Sequence, residues 1–383
     1  MFTSRGSTIR LDRRTLLRGS ASLAVGVVGA QLIASSEVNA ALPNYISGSV
    51  IQARLNDARN GIGARDSLGR YIAKPGAGTY LLTTPLVIYA NTHLDVTGVR
   101  IVSRFPTSGV KHTMLINYVP SGATGYTGAG NIAITGGSWD PVWDFAQRGV
   151  LGSAPAMNVL TLTHCSDVVI DAATIWNVKW WHAVEFNGVR RGTVKNSNLK
   201  GWIADPNNGL WHGEAVQLDL PTSINTWSGA SDSTPCRDIL ISGTLCDTSG
   251  SQPGWGQLTG SHTFDAAHPH VGVRIEGNTV RNARWDAIAT ANAQSVHIAN
   301  NVVENCVGGV YVKSVPNAPL QTVEIIGNQV NGINGRDALA VRADPAGGPI
   351  SDVLISGNVV DCAKVNYYGA VSFRQGHVAD CAV

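Results

Sequence analysis

Val273-Arg-Ile-Glu-Gly-Asn-Thr-Val-Arg-Asn282 is followed by three near copies of itself: Val296-His-Ile-Ala-Asn-Asn-Val-Val-Glu-Asn305, Val323-Glu-Ile-Ile-Gly-Asn-Gln-Val-Asn-Gly332 and Val353-Leu-Ile-Ser-Gly-Asn-Val-Val-Asp-Cys362. The sixth residue is always asparagine (Asn278, Asn301, Asn328, Asn358), recurring at steps of 23, 27 and 30 residues. Weaker copies lie upstream at Asn131–Trp139, Val168–Asn177, Thr193–Leu199 and Ile239–Leu245. Each copy alternates apolar and polar residues, turns at a Gly-Asn or Asn-Asn corner, and alternates again, so it reads as two short strands around a bend. Asparagine tolerates left-handed backbone, which is the expectation for the corner, and stacked asparagines can hydrogen-bond from one copy to the next. A period of this length, with no strand able to bury its apolar face alone, predicts a solenoid in which each coil covers its neighbours. The L-x-x-L-x-L pattern of leucine-rich repeats is missing, and Val and Ile outnumber Leu in the copies. The fold class is therefore all-β, a single-stranded right-handed parallel β-helix.

Working outward, a second strand precedes the copies: His182-Ala-Val-Glu-Phe-Asn187, Glu214-Ala-Val-Gln-Leu-Asp219, Asp286-Ala-Ile-Ala-Thr-Ala291, Gly308-Gly-Val-Tyr-Val-Lys313, Asp337-Ala-Leu-Ala-Val-Arg342 and Gly369-Ala-Val-Ser-Phe-Arg374. Third and fifth positions point inward and fourth and sixth outward by strand alternation. That sets Glu185, Asn187, Gln217, Asp219, Tyr311, Lys313, Arg342 and Arg374 on one outer, solvent-facing side. The segment 247–270 reads as an insertion before Val273. The spacing of Val50, Ile51, Leu55, Ala58 and Ile62 predicts a helix within 46–62 that plugs the N-terminal end of the core.

Residues 1–40 read as a leader: twin arginines in Asp12-Arg-Arg-Thr-Leu-Leu-Arg18, an apolar run from Ser20 to Ala34, and small residues at Val38-Asn-Ala40. The folded domain is 41–383, and the location is extracellular or periplasmic through twin-arginine export. The apolar run is short and broken by glycines, so no membrane association is expected after cleavage. Net charge is +2 with 14% charged residues, which argues against a nucleic-acid binder. Export permits disulfides. Among Cys165, Cys236, Cys246, Cys306, Cys362 and Cys381, the pair Cys236 and Cys246 flanks one strand and is a candidate bridge, whereas Cys165, Cys306 and Cys362 sit near repeat turns as small buried residues. No Cys/His spacing argues for zinc, and no metal or cofactor is assigned.

Pro75-Gly-Ala-Gly-Thr-Tyr80, Asn131-Ile-Ala-Ile-Thr-Gly-Gly-Ser-Trp-Asp140 and the Gly-Asn corners resemble the pectate-lyase-like superfamily of right-handed β-helices. Within it the polygalacturonase-like hydrolases are nearest. Gly213-Glu214-Ala215-Val216 resembles their N-T-D motif with Glu for Asp, Trp285-Asp286-Ala287-Ile288 their D-D motif with Trp for one Asp, and Val310-Tyr311-Val312-Lys313 their R-I-K motif with Tyr for Arg. The resemblance implies a carbohydrate substrate.

The residues point the same way. Glycoside hydrolysis needs two carboxyl groups flanking the scissile bond, and coils about 4.8 Å apart bring neighbouring carboxylates within range. Glu185, Glu214, Asp219 and Asp286 are the candidate acid and base. Asp286 shares its repeat position with Asp337, where a backbone-capping turn residue is the alternative. His182, Trp211, His212, Gln217, Trp285, Tyr311, Lys313 and Arg342 are candidate substrate-binding groups. Indole rings stack on the apolar faces of sugars, and Trp180, Trp181, Trp202, Trp211, Trp227, Trp255 and Trp285 are crowded into this part of the chain. His262, His268, His270 and Asp265 form a loop cluster with ligand chemistry but loose spacing. The sequence thus reads as a secreted glycosidase acting on a poly- or oligosaccharide, as a monomer or homotrimer. A uronate lyase or epimerase centred on Lys313 and Arg342, or a non-catalytic glycan-binding β-helix of the tailspike kind, are the alternatives.

Overall fold

The computed structural model describes residues 44–106, 112–222, 229–343, 349–361, 369–374 and 381–382; the leader lies outside them, as do Cys362 and Trp227. The strands stack into three parallel sheets, one on each side of a coil. The repeat copies pair in register, Val273 with Val296, Val296 with Val323 and Val323 with Val353. Their inward residues, including Ile275, Ile298, Ile325 and Ile355, are almost wholly buried in one continuous core. Branched side chains suit this packing because their restricted rotamers fit a pleated surface.

The asparagine corners form a ladder, with a conformation other than the one expected. The left-handed residue is the one before each asparagine: Gly277 (φ 61°), Asn300 (φ 55°), Gly327 (φ 65°) and Gly357 (φ 64°). The asparagine itself keeps negative φ and turns its amide along the solenoid axis. Asn278 donates both its backbone N–H and its Nδ2 to Asn301 Oδ1 (2.9 Å each). Asn301 does the same to Asn328 and Asn328 to Asn358. Each Nδ2 also reaches a carbonyl of the preceding coil, Ile241, Ile275 or Ile298. A corner cannot join a regular sheet ladder, so its buried polar groups need these partners.

A helix at Ser49–Arg59 packs Ile51, Leu55 and Ala58 onto the end of the core. It is shorter than the expected range; Val50 within it and Ile62 beyond its end are exposed. Cys236 and Cys246 are not bridged: both are free and buried, like Cys165 and Cys306. Burial pushes the Cys236 and Cys306 thiols up to about 12, so they behave as small apolar groups. No helix among the described residues is long and apolar enough to cross a membrane.

The segment read as an insertion turns out to hold a regular rung. Gln257–Gly260 pairs with Glu214–Asp219 through Glu214 and Gln257, Val216 and Thr259, and Gln217 and Gly260. On its other side, Thr259 Oγ1 donates to the Ala289 carbonyl. A coil therefore separates Glu214 from Asp286. Four residues with glycine at the outward position carry too little apolar alternation to be noticed in the sequence.

Removing the middle rung of the ladder tests its importance. Asn301→Ala leaves the buried Asn278 N–H and the Ile275 carbonyl unpartnered, and should lower unfolding stability by about 3 kcal/mol, read as a reduced denaturant midpoint.

Candidate functional site

Position on the outward side is set by a break in strand alternation. Ala215 and Val216 both enter the core, as do Ala183 and Val184 one coil earlier. The first residue of each strand is thereby returned to the outer side together with the fourth and sixth. Glu214, Glu185 and Asp219 consequently converge on one cleft of about 260 Å³, together with Asn158, Trp180, Trp181, His182, Leu210, His212, Thr222, His262 and Thr263. Gly260 leaves room for the Glu214 side chain, with which a β-carbon there would collide.

None of the three carboxylates is the solvated surface group that alternation suggested: Glu185, Glu214 and Asp219 are 5–6% exposed. The turn after Gln257–Gly260 folds back over this side of the solenoid, placing His262 and Thr263 against Asp219 and Glu214. Glu185 Oε1 accepts from Asn187 Nδ2 (2.7 Å), and Oε2 accepts from Asn158 Nδ2. Asp219 Oδ1 accepts from the backbone N–H groups of His262 (3.0 Å) and Thr263 (3.1 Å) and from Ser261 Oγ. Its Oδ2 has no hydrogen-bond partner among the described residues. Glu214 Oε1 accepts from Gln257 Nε2 (2.8 Å) and Oε2 from His262 Nε2 (2.8 Å).

Glu214 and Asp219 stand at opposite ends of one strand, their Cα atoms about 16 Å apart at the usual rise. His262 spans the interval: its backbone is gripped at the Asp219 end and its ring lies on Glu214. Burial alone raises the Glu214 pKa, but the hydrogen bond and charge of His262, helped by His182, outweigh it and hold the carboxyl at about 2. Burial likewise depresses His262, and Glu214, with Asp219 and Glu185 adding their charge, overcomes this and lifts the imidazolium to about 9. His262 is 54% exposed along its side chain, so solvent screens part of that attraction. His182 goes the other way. Burial and the nearby His262 charge lower its pKa, and its Nδ1–H donates to the Glu214 carbonyl (2.9 Å), leaving Nε2 with a lone pair. His182, Glu214 and His262 also offer one ligand atom each within 4.8 Å of one another, the donor set that holds a divalent metal elsewhere.

The other sequence candidates fall outside this cleft. Asp286 is buried and paired with Arg336 Nε (2.8 Å); burial raises its pKa despite that cation. Trp285 stacks at 4.4 Å and 7° on His212, while the Arg336 guanidinium lies 4.0 Å over its centre. Two groups that close to one ring centre must take opposite faces, so neither face of Trp285 is open to a sugar. Tyr311 lies beneath the same guanidinium at 5.7 Å. Lys313 and Arg342 pair in register further along the solenoid, with Lys313 Nζ 5.1 Å over Phe264. Gln217 is fully buried under Glu185, its amide atoms without partners among the described residues. Trp211 is 62% exposed at the rim, whereas Trp202 and Trp255 are core residues. The expected loop cluster disperses: His268 pairs with Asp265 at the surface, and His270 is buried and accepts the Cys236 N–H.

No family model matches the chain, and no curated protein does. Solved structures do. PfbA, a surface adhesin of Streptococcus pneumoniae, is 14% identical over 86% of this chain and 87% of its own, with a TM-score of 0.59. A polygalacturonase from Erwinia carotovora is 11% identical over 88% of this chain and 93% of its own, at 0.53. An exopolygalacturonase from Thermotoga maritima is 13% identical over 86% and 87%, at 0.54. At these identities the likeness is one of fold.

The ion pair makes stability depend on pH in a defined direction. Glu214 contributes fully above its ordinary value of 4.5 and loses its contribution as pH falls toward about 2. His262 contributes fully below 6.5 and loses it as pH rises toward about 9. The difference in Tm between the wild type and His262→Gln should therefore peak between pH 4.5 and 6.5 and shrink on both sides; a difference independent of pH contradicts the pair.

Proposed function

We propose that this chain, which has the pectate-lyase-like right-handed β-helix fold, is an exported glycoside hydrolase acting on a poly- or oligosaccharide. The observation that carries the reading is the convergence of Glu185, Glu214 and Asp219 in a single cleft walled by Trp180 and Trp181. Hydrolysis passes through an oxocarbenium-like transition state and needs a base to activate water as well as a proton donor for the leaving oxygen. Asp219 Oδ2 is the carboxylate oxygen left for the water, because Oδ1 is already committed to the loop. Glu185 is registered one coil away and two residues back from Asp219; in that diagonal relation it stabilises positive charge developing on the ring. Trp180, Trp181 and the rim residue Trp211 offer stacking surface for the sugar. Lys313 and Arg342, further along the axis, add attraction for an anionic chain.

A panel of polysaccharides incubated with the mature chain, followed by product analysis, tests the proposal. The expected outcome is new reducing ends without an ultraviolet-absorbing double bond. An unsaturated product would make the protein a lyase, and intact glycan after prolonged incubation would make it a binding module. Asp219→Asn keeps the Oδ1 acceptor that holds the loop while removing the base. It should lower kcat by roughly 10²–10⁴ with the Tm nearly unchanged, and Glu185→Gln should lower kcat in the same direction.

A further inference from the structure

We infer that the cleft binds a divalent transition-metal ion of the zinc class through His182, Glu214 and His262. The inference does not depend on the hydrolase reading, and it gives a part to three groups that reading leaves without one. Two imidazoles and one carboxylate, with a fourth position left for water or substrate, form the ligand set of many zinc sites. The three side chains offer one ligand atom each within 4.8 Å of one another, and all three line the same cleft. His182 and Glu214 stand on neighbouring coils, while His262 reaches in from the turn after Gln257–Gly260.

The spacing of the rings fits such an ion. Zinc binds imidazole nitrogen at about 2.0–2.1 Å, so two rings placed tetrahedrally around it have their centres about 5.2 Å apart. The ring centres of His182 and His262 are 5.3 Å apart, with planes inclined at 52°. The ligands are also held from behind. A ligating histidine donates its other ring N–H to a carbonyl or carboxylate, which fixes its tautomer. His182 Nδ1–H donates to the Glu214 carbonyl (2.9 Å), so the lone pair is on Nε2, and the His182 backbone N–H donates to Asn158 Oδ1 (3.0 Å). Gln257 Nε2 occupies Glu214 Oε1 (2.8 Å), which turns Oε2 toward His262. The turn that carries His262 is pinned by its backbone N–H on Asp219 Oδ1 (3.0 Å).

A pair of Glu214 with His262 accounts for two of these groups but gives the oriented, buried His182 no part; an ion accounts for all three. In the metal-free protein the Nε2 proton of His262 lies between that ring and Glu214 Oε2, and the ion displaces it. The ligand chemistry selects the ion. Calcium and magnesium take oxygen ligands, whereas two imidazole nitrogens suit zinc and its neighbours in the first transition row. The remaining position falls to a water or a sugar hydroxyl in the cleft.

Titration of the chelator-treated protein with Zn²⁺, followed by calorimetry and thermal melting with no glycan present, tests the site. One equivalent should bind with micromolar or tighter affinity and raise the Tm, and Co²⁺ in its place should give the visible absorption of a four-coordinate site. His182→Gln and His262→Gln should each weaken zinc binding by more than about 100-fold, and Gln257→Ala, which keeps the ligands but releases Glu214 Oε1, by about 10–100-fold. His262 is half-exposed on a turn, so its variant should keep the wild-type circular dichroism while losing the ion. A Tm unmoved by Zn²⁺, a Tm raised as much by Ca²⁺ as by Zn²⁺, or either histidine variant binding zinc as tightly as the wild type overturns the site. Each of these results is read without cleavage, so the hydrolase reading stands or falls separately on the polysaccharide panel.

Discussion

Everything in this molecule depends on coils stacking in register. Parallel pairing fixes one residue above another at the inter-strand spacing, and in a solenoid each coil touches only its neighbours. A slip of one residue would exchange inside for outside along a whole strand. The asparagine ladder pins the register at one corner: each rung binds the coil before it through Nδ2 and the coil after it through N–H and Nδ2. The apolar shelf on the inside then has a single arrangement in which valine meets valine.

On the outside the same register gathers charge. Burying three carboxylates in one place is costly unless each is hydrogen-bonded or paired. Here the cost is met by amides around Glu185, by backbone N–H groups around Asp219 and by an imidazolium against Glu214. Glu214 is the centre of this arrangement: its side chain accepts from one histidine and its carbonyl from another. It raises the pKa of His262, while burial and the His262 charge lower that of His182 against the pull of Glu214.

The repeat copies made the solenoid and its inward residues readable from the sequence, because period-2 alternation and recurring Gly-Asn corners are local signals. Glu185, Glu214 and Asp219 were readable as a group for the same reason. Their burial was not, since it comes from loops whose path no local pattern encodes. His262 was visible only as one of several histidines in a loop; its partner Glu214 lies 48 residues away. Asp286 fell short of the cleft because the rung at Gln257–Gly260, too brief and too glycine-rich to stand out, sits between it and Glu214. Trp285 had the right chemistry for stacking sugar, but nothing in its neighbourhood in the sequence announces that His212 and Arg336 would cover both its faces.

That brief rung has a consequence for how such a scaffold diverges. After only four residues the chain leaves the sheet, and the early exit gives the next turn the slack to fold back across its neighbour's strand. The His262 ring is therefore carried by an exit turn, while the coils beneath carry the packing. Lengthening or recomposing such a turn alters what is presented to a substrate without disturbing a single core contact. A stack of coils can in this way keep one architecture through many chemistries, its inner wall conserved by sterics and its outer turns free to be rewritten one at a time.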